Sequence, residues 1–287
     1  MRVAALDRDP AGSQRLRAMA GAEPQGIGAR PLPAGIRFIE FFGLPGIGKT
    51  TVSRLLAERL RRTGSLVDEK RVTWEDKPLV ARQLNRLSLV LPRLRNRDFR
   101  SIALRIAKFV AEDGQEAPAD LMRWTWSLWS VAAYIVEERS KDADVTVLDQ
   151  GLLQGFWSIL LKSRNRGTSE HWLDIMSAIG LDDIVFVDLR GSIDLARNRI
   201  RGRDDRASRL QREPSTGEVS LWTKAERAYC TIAADLWKTQ TAARGMPMLA
   251  VVDMTASASP DEVADKTLQA VLLAYQRRLK AIEPGGH

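Results

Sequence analysis

The chain has 287 residues, 44% of them hydrophobic, with 44 Lys and Arg against 36 Asp and Glu for a formal net charge of +8; that is one generous globular domain with room for a sizeable core, and neither a disordered nor a collagenous chain. A single cysteine excludes an intrachain disulfide, and with only two histidines no zinc site can be assembled from the usual ligands. The basic balance, with a pI near 9.9, leaves room for a polyanionic partner without choosing among nucleotide, nucleic acid, phosphorylated glycan and anionic membrane.

Residues 1–34 are rich in Gly, Ala, Arg and Pro and show no sustained period, which predicts a flexible N-terminal tail ahead of one domain over 35–287. No basic-then-apolar signal segment is read at the start, so a reducing, cytoplasmic location is expected. The most apolar stretch, Trp124 to Val136, is too short to span a bilayer and reads as a core helix. Cys230 falls in a helical pattern over 225–237, where a small buried thiol is expected.

From Ile36 onward apolar strands alternate with amphipathic helices, the pattern of a parallel sheet covered on both faces. The strands are expected at 36–42, 66–74, 145–149, 184–189 and 248–253. The second is the weakest, because Asp68-Glu69-Lys70-Arg71 interrupts it. Helices are expected near 50–63, 79–91, 100–111, 119–141, 152–162, 170–179, 192–201, 218–243 and 260–281.

Directly after the first strand, Gly43 to Thr50 read G-L-P-G-I-G-K-T, the full G-x-x-x-x-G-K-[ST] phosphate loop. Between a strand and a helix, such a loop aims successive backbone N–H groups and the positive helix end at one point, where a triphosphate can sit. Gly43, Gly46, Ile47, Gly48, Lys49, Thr50 and Thr51 are the expected ATP-binding residues. Lys49 is placed for the β- and γ-phosphates and Thr50 for Mg²⁺.

Beyond the second strand, Glu75 and Asp76 are candidate general bases for an acceptor hydroxyl. Between Lys77 and Lys108 stand nine Lys or Arg against one acid, Asp98, among interleaved leucines and isoleucines. That interleaving predicts amphipathic helices whose exposed face is cationic. Trp124, Trp126, Trp129 and Tyr134 on the next long helix are expected to be mainly core packing.

The strand 145–149 ends in Asp149, followed by Gln150 and Gly151, and ligands of open parallel sheets bind at the carboxyl ends of the strands. Asp149 is therefore the second expected metal ligand. Gln150 cannot take up a proton, which favours transfer to a bound acceptor over hydrolysis. Seven arginines then fall between Arg197 and Arg212. They read as an arginine-rich lid over about 197–217, in which Arg199, Arg203 and Arg206 would stabilise a phosphoryl group in transfer.

In order, F-I-E-F-F-G-L-P-G-I-G-K-T-T (38–51), V-L-D-Q-G (147–151) and F-V-D-L-R followed by A-R-N-R-I-R-G-R-D-D-R (186–206) resemble the thymidylate-kinase-like branch of P-loop nucleoside and nucleotide kinases. The resemblance implies a three-layer α/β/α P-loop NTPase fold with a parallel sheet of about five strands, an arginine-bearing lid and an acceptor region at about 75–143. The chain departs from it twice. Gln150 stands where the family commonly has an acceptor-contacting Arg, and Trp74-Glu75-Asp76-Lys77-Pro78 replaces the acceptor-phosphate motif, so thymidylate is not the expected substrate.

The resulting expectation is an ATP- and Mg²⁺-dependent phosphotransferase that moves the γ-phosphoryl group to a small nucleoside- or nucleotide-like acceptor, phosphorylated or not. Catalytic roles fall to Lys49, Asp149, Arg199, Arg203, Arg206 and Glu75. The alternatives are a P-loop ATPase and a nucleic-acid-end kinase. No nucleic-acid module supports the latter. The Asn-Lys-x-Asp element of a GTPase is missing too, Thr223-Lys224-Ala225-Glu226 having the wrong acid.

Overall fold

A computed structural model of the chain describes residues 32–69, 78–115, 117–163, 170–202, 215–240 and 247–282. Its elements in chain order are β1 (Phe38–Phe42), α1 (Lys49–Arg62), β2 (Val67–Asp68), α2 (Leu79–Arg93), α3 (Arg97–Glu112), α4 (Pro118–Glu138), β3 (Val145–Leu148), α5 (Leu152–Leu161), α6 (Glu170–Ile179), β4 (Ile184–Arg190), α7 (Ile193–Arg201), α8 (Ser215–Gln240), β5 (Met248–Asp253) and α9 (Pro260–Ile282). The five strands form one sheet in the order β2-β3-β1-β4-β5, with every pairing parallel.

β1 is central, with Phe38 opposite Thr146 on one side and Ile184 on the other. Parallel strands need crossover connections that cover both faces of the sheet, and alternate residues of each strand serve alternate faces. Ile39, Phe41, Val145, Val147, Val185, Val187, Ala250 and Val252 pack under α1 and α9. Phe38, Phe42, Leu148, Ile184, Phe186 and Leu249 pack under the other helices, in one core with Phe99, Phe109, Phe156, Trp172 and Trp222. The three-layer α/β/α arrangement with a five-stranded parallel sheet is as expected from the sequence.

β2 is shorter than expected. Val67 and Asp68 pair with Val145 and Thr146, and pairing ends before Glu69. A charged side chain in a covered strand costs free energy unless the fold supplies it with a partner, so a run of charges does not favour a longer strand here. The expected continuation to Trp74 lies outside the described residues.

Three expectations about burial are revised. α3 follows the amphipathic pattern, burying Phe99, Ile102, Ile106, Phe109 and Val110 while Arg97, Arg100, Arg105 and Lys108 face solvent. α2 does the reverse: Val80, Leu84, Leu87 and Leu91 are exposed, whereas Arg82, Arg86 and Arg93 are half-buried beside the buried Leu89 and Val90. Cys230 is exposed, because the buried stripe of α8 runs through Trp222, Ala225, Ala228, Ile232 and Leu236, and position 230 lies off it. Finally, Leu32 is buried against the core under α1 and α9, so docked chain begins before residue 35. The rest of the expected tail, residues 1–31, lies outside the described residues.

The site lies where the connections diverge. β1 sends the chain to α1 on one face, while its neighbour β3 sends it to α5 on the other. Adjacent strands with diverging connections leave a crevice outside their carboxyl ends, the usual ligand position in open α/β sheets.

Candidate active site

The loop 43–48 wraps closely because three of its residues lack Cβ. Gly43 has φ +148° and Gly46 φ +85°; a Cβ at Gly43 would stand 2.7 Å from the Leu189 carbonyl oxygen, and one at Gly46 would stand 2.6 Å from that of Ala196. Gly48, at φ +116°, caps α1 in a left-handed conformation, with no side-chain cap bond and no acid in the first turn of the helix. The positive end of α1 is therefore not neutralised from within the helix, as an anion-binding end requires. Ile47 is fully buried and pins the loop to the core, its Cδ1 lying 2.3 Å from where a Cβ of Gly191 would be.

Lys49 folds back so that its Nζ donates to the carbonyl oxygens of Gly43, at 2.6 Å, and Leu44, at 3.1 Å. Thr50 follows on the first turn of α1, and its hydroxyl donates to Asp149 Oδ2 at 3.2 Å across 99 positions of sequence. A hydroxyl and a carboxylate this close, at the rim and beside the helix end, are the oxygen donors Mg²⁺ takes from a protein that leaves its other positions to water and phosphate. Thr51 is exposed on the outer side of the helix, its N–H donating to the Gly48 carbonyl at 3.1 Å. Among the described residues no group of three or more His, Cys, Asp or Glu is gathered to hold a metal, so any metal here would rest on this sparse pair.

Behind the pair lies a residue that sequence reasoning missed. Glu40, in the middle of β1, is fully buried and accepts the Leu153 N–H at 2.6 Å, at the first turn of α5. It takes the place of a side-chain cap for that helix, since Gly151 at the cap position has none. Gly151 must be glycine, because a Cβ there would stand 2.4 Å from the Glu40 carboxylate. Burial pushes the Glu40 carboxyl up to about 7, against the opposing pull of the amides of Leu153, Leu152 and Gln154. A charge in the middle of F-I-E-F-F was the available signal, since a strand covered on both faces tolerates one only for a reason.

From the other side, Arg199 on α7 donates to the Ile47 carbonyl at 2.6 Å and so braces the loop. A second buried acid, Asp188 in β4 beside Phe42, accepts from Arg190 Nε at 2.8 Å and from the Tyr229 hydroxyl at 2.6 Å. The Arg190 guanidinium lies 5.2 Å from the centre of the Trp237 ring, and the Tyr229 ring is 5.1 Å from Phe42, the residue before the loop. Burial, followed by the Asp188 charge, pushes the Tyr229 phenol up, so it stays protonated and donates. This group ties α8 to the strand end that carries the loop, and nothing in its spacing announced it.

The structure thus brings together Gly43, Gly46, Ile47, Gly48, Lys49, Thr50, Asp149 and Arg199, with Thr51 turned outward. Glu75, Arg203 and Arg206 lie outside the described residues, as does most of the expected lid. Arg197 is directed away from the loop, its guanidinium 5.4 Å from the Trp222 ring centre. Beside Asp149 a cavity of about 490 Å³ opens between α2, α4 and α5, lined among others by Arg82, Arg86, Arg123, Trp124, Gln150 and Gln154. Of the expected core aromatics, Trp129 is bonded to the Ala103 carbonyl, whereas Trp124 and Trp126 wall this cavity.

Fold and loop define the class: a P-loop α/β/α protein with its loop and strand-end acid on one rim. No protein-family model matches the chain, and no curated protein matches it. Among solved structures, a gluconokinase from Sinorhizobium meliloti aligns at a TM-score of 0.42 and 15% identity, over 85% of this chain and 97% of that one. Among the described residues no helix is long and apolar enough to cross a membrane.

Proposed function

We propose that the protein is an ATP- and Mg²⁺-dependent phosphotransferase that passes the γ-phosphoryl group to a small nucleoside- or nucleotide-like acceptor. The observation that carries this reading is the contact of Thr50 Oγ1 with Asp149 Oδ2 at 3.2 Å, on the same rim as Lys49 and the uncapped end of α1. Mg²⁺ held by that hydroxyl and carboxylate would offset charge on the β- and γ-phosphate oxygens. The loop amides and Lys49 hold the triphosphate, and Arg199 keeps the loop in shape through the Ile47 carbonyl. As the acceptor oxygen bonds to the γ-phosphorus, the bond to the bridging oxygen breaks and ADP leaves with the electron pair. Arg203 and Arg206 are the proposed partners of the charge developing on the transferred group. Glu75 is the proposed base for the proton of an acceptor hydroxyl. Gln150, next to Asp149, offers no carboxylate to activate water, so transfer should outrun hydrolysis.

The test has two parts. Lys49→Ala should abolish most calorimetric binding of a non-hydrolysable ATP analogue, and Asp149→Asn should remove acceptor-stimulated ADP release while leaving the thermal midpoint in place. ATP alone should turn over slowly. Vigorous acceptor-free hydrolysis, with no phosphorylated product from nucleosides, nucleotides, sugars or nucleic-acid ends, would make the protein an ATPase instead.

A further inference from the structure

α2 is built inside out. Val80, Leu84, Leu87 and Leu91 recur at the spacing of one helix face and are 71%, 59%, 37% and 55% exposed. Arg82 and Arg86, one turn apart, occupy the inward side beside Leu89 and Val90. Hydration of guanidinium groups and burial of leucines both favour the opposite rotation of such a helix. The cost is visible at Arg82, whose Nε is buried with no hydrogen-bond partner among the described residues. What keeps the arginines inward lies in what they face.

They face the cavity of about 490 Å³ beside Asp149, and its lining has a definite chemistry. Arg82 and Arg86 enter from α2 and Arg123 from α4, with Gln150, Gln154 and Ser158 opposite; no acidic side chain is among the lining residues described. The Arg123 guanidinium, part of the lining, lies 5.2 Å from the Trp124 ring centre, which steadies it. Gln150, the neighbour of Asp149, is part of the lining, so the cavity opens onto the rim that carries the phosphate loop. Arginine forks lining a cleft with no carboxylate among its described residues match the oxygens of an anion.

We infer that this cavity is the acceptor subsite and that the acceptor is a small organic phosphate, its phosphate held by Arg82 and Arg123 from α2 and α4. The word acceptor rests on the phosphotransferase reading; the anion site does not. The cationic charge that the rim itself lacks at Gln150 is delivered from the helices across the cleft.

The test titrates matched probes, ribose against ribose 5-phosphate and thymidine against its 5′-monophosphate, into protein saturated with a non-hydrolysable ATP analogue. At least one ester should bind while its unphosphorylated partner does not. Arg82→Gln, Arg123→Gln and the repulsive Gln154→Glu should each weaken that ester about tenfold or more, with affinity for the ATP analogue and the thermal midpoint unchanged. Equal binding within both pairs overturns the proposal, as does binding of neither ester. Ester binding indifferent to all three substitutions overturns it as well. If the analogue itself fails to bind the unaltered protein, the phosphotransferase reading falls. The anion site is then judged on the esters and the three variants alone.

Discussion

Glu40 stands in a strand that is otherwise apolar, and its carboxylate replaces a helix cap while sitting out of reach of water. Two effects oppose each other there. Desolvation favours the protonated form, the amides at the start of α5 favour the charged one, and the carboxyl at about 7 says that desolvation wins. In the unfolded chain the same group titrates near its ordinary value of 4.5. Because the folded value is raised, the stability it contributes is complete below about 4.5 and is lost as pH rises toward 7. The span corresponds to something on the order of 3 kcal/mol. Glu40→Gln, which keeps an oxygen for the Leu153 N–H, should remove this slope. Its thermal midpoint relative to the unaltered protein should climb between those two pH values and level off above them. A midpoint difference that stays constant over the whole window would show that Glu40 is not the group titrating. Residue identity was legible at this scale, since E stands plainly in F-I-E-F-F. The partner was not, because Leu153 lies 113 positions away and only the pairing of β1 with β3 brings its helix close.

At the scale of elements, periodicity located almost every helix within a few residues, and α6 and β5 have the limits expected from sequence. It did not say which way α2 turns. A helix with leucines on one side and arginines on the other is equally regular in either orientation, and the choice belongs to what lies against it. The exposed stripe makes a measurable claim. Leu84→Gln should change the free energy of urea unfolding by no more than about 0.5 kcal/mol, as surface positions do. Leu89→Ala, on the inward side of the same helix, should cost about 2–5 kcal/mol. Should Leu84→Gln cost as much as Leu89→Ala, the leucine stripe is covered in solution and α2 does not turn its arginines inward.

The whole molecule is held by two cores on either side of one sheet, and the thinner of them, under α1 and α9, takes in Leu32 ahead of the first strand. Pro33 accepts from the Ile36 N–H at 3.0 Å, a turn that leads Leu32 back onto that core. Burying a leucine contributes about 1.5–3 kcal/mol, and each kcal/mol moves the midpoint of a chain this size by roughly 2–4 °C. A chain starting at residue 32 should therefore melt several degrees above one starting at residue 35. Equal midpoints in calorimetry would mean that the Leu32 contact adds nothing.

Some of this protein was decided by short stretches of sequence alone. The loop G-L-P-G-I-G-K-T needs only its own glycines and the strand and helix that flank it, and Asp149 is marked by the end of its own strand; such signals depend on residues a few positions apart. The strand order, the meeting of Thr50 with Asp149, the Glu40 carboxylate under α5, the tie from Asp188 to Tyr229 and the rotation of α2 were decided only by tertiary structure. Each depends on groups brought together across long separations, and whether burying a carboxylate or a guanidinium costs free energy or is compensated is settled by the partners that the fold delivers, which no local pattern contains.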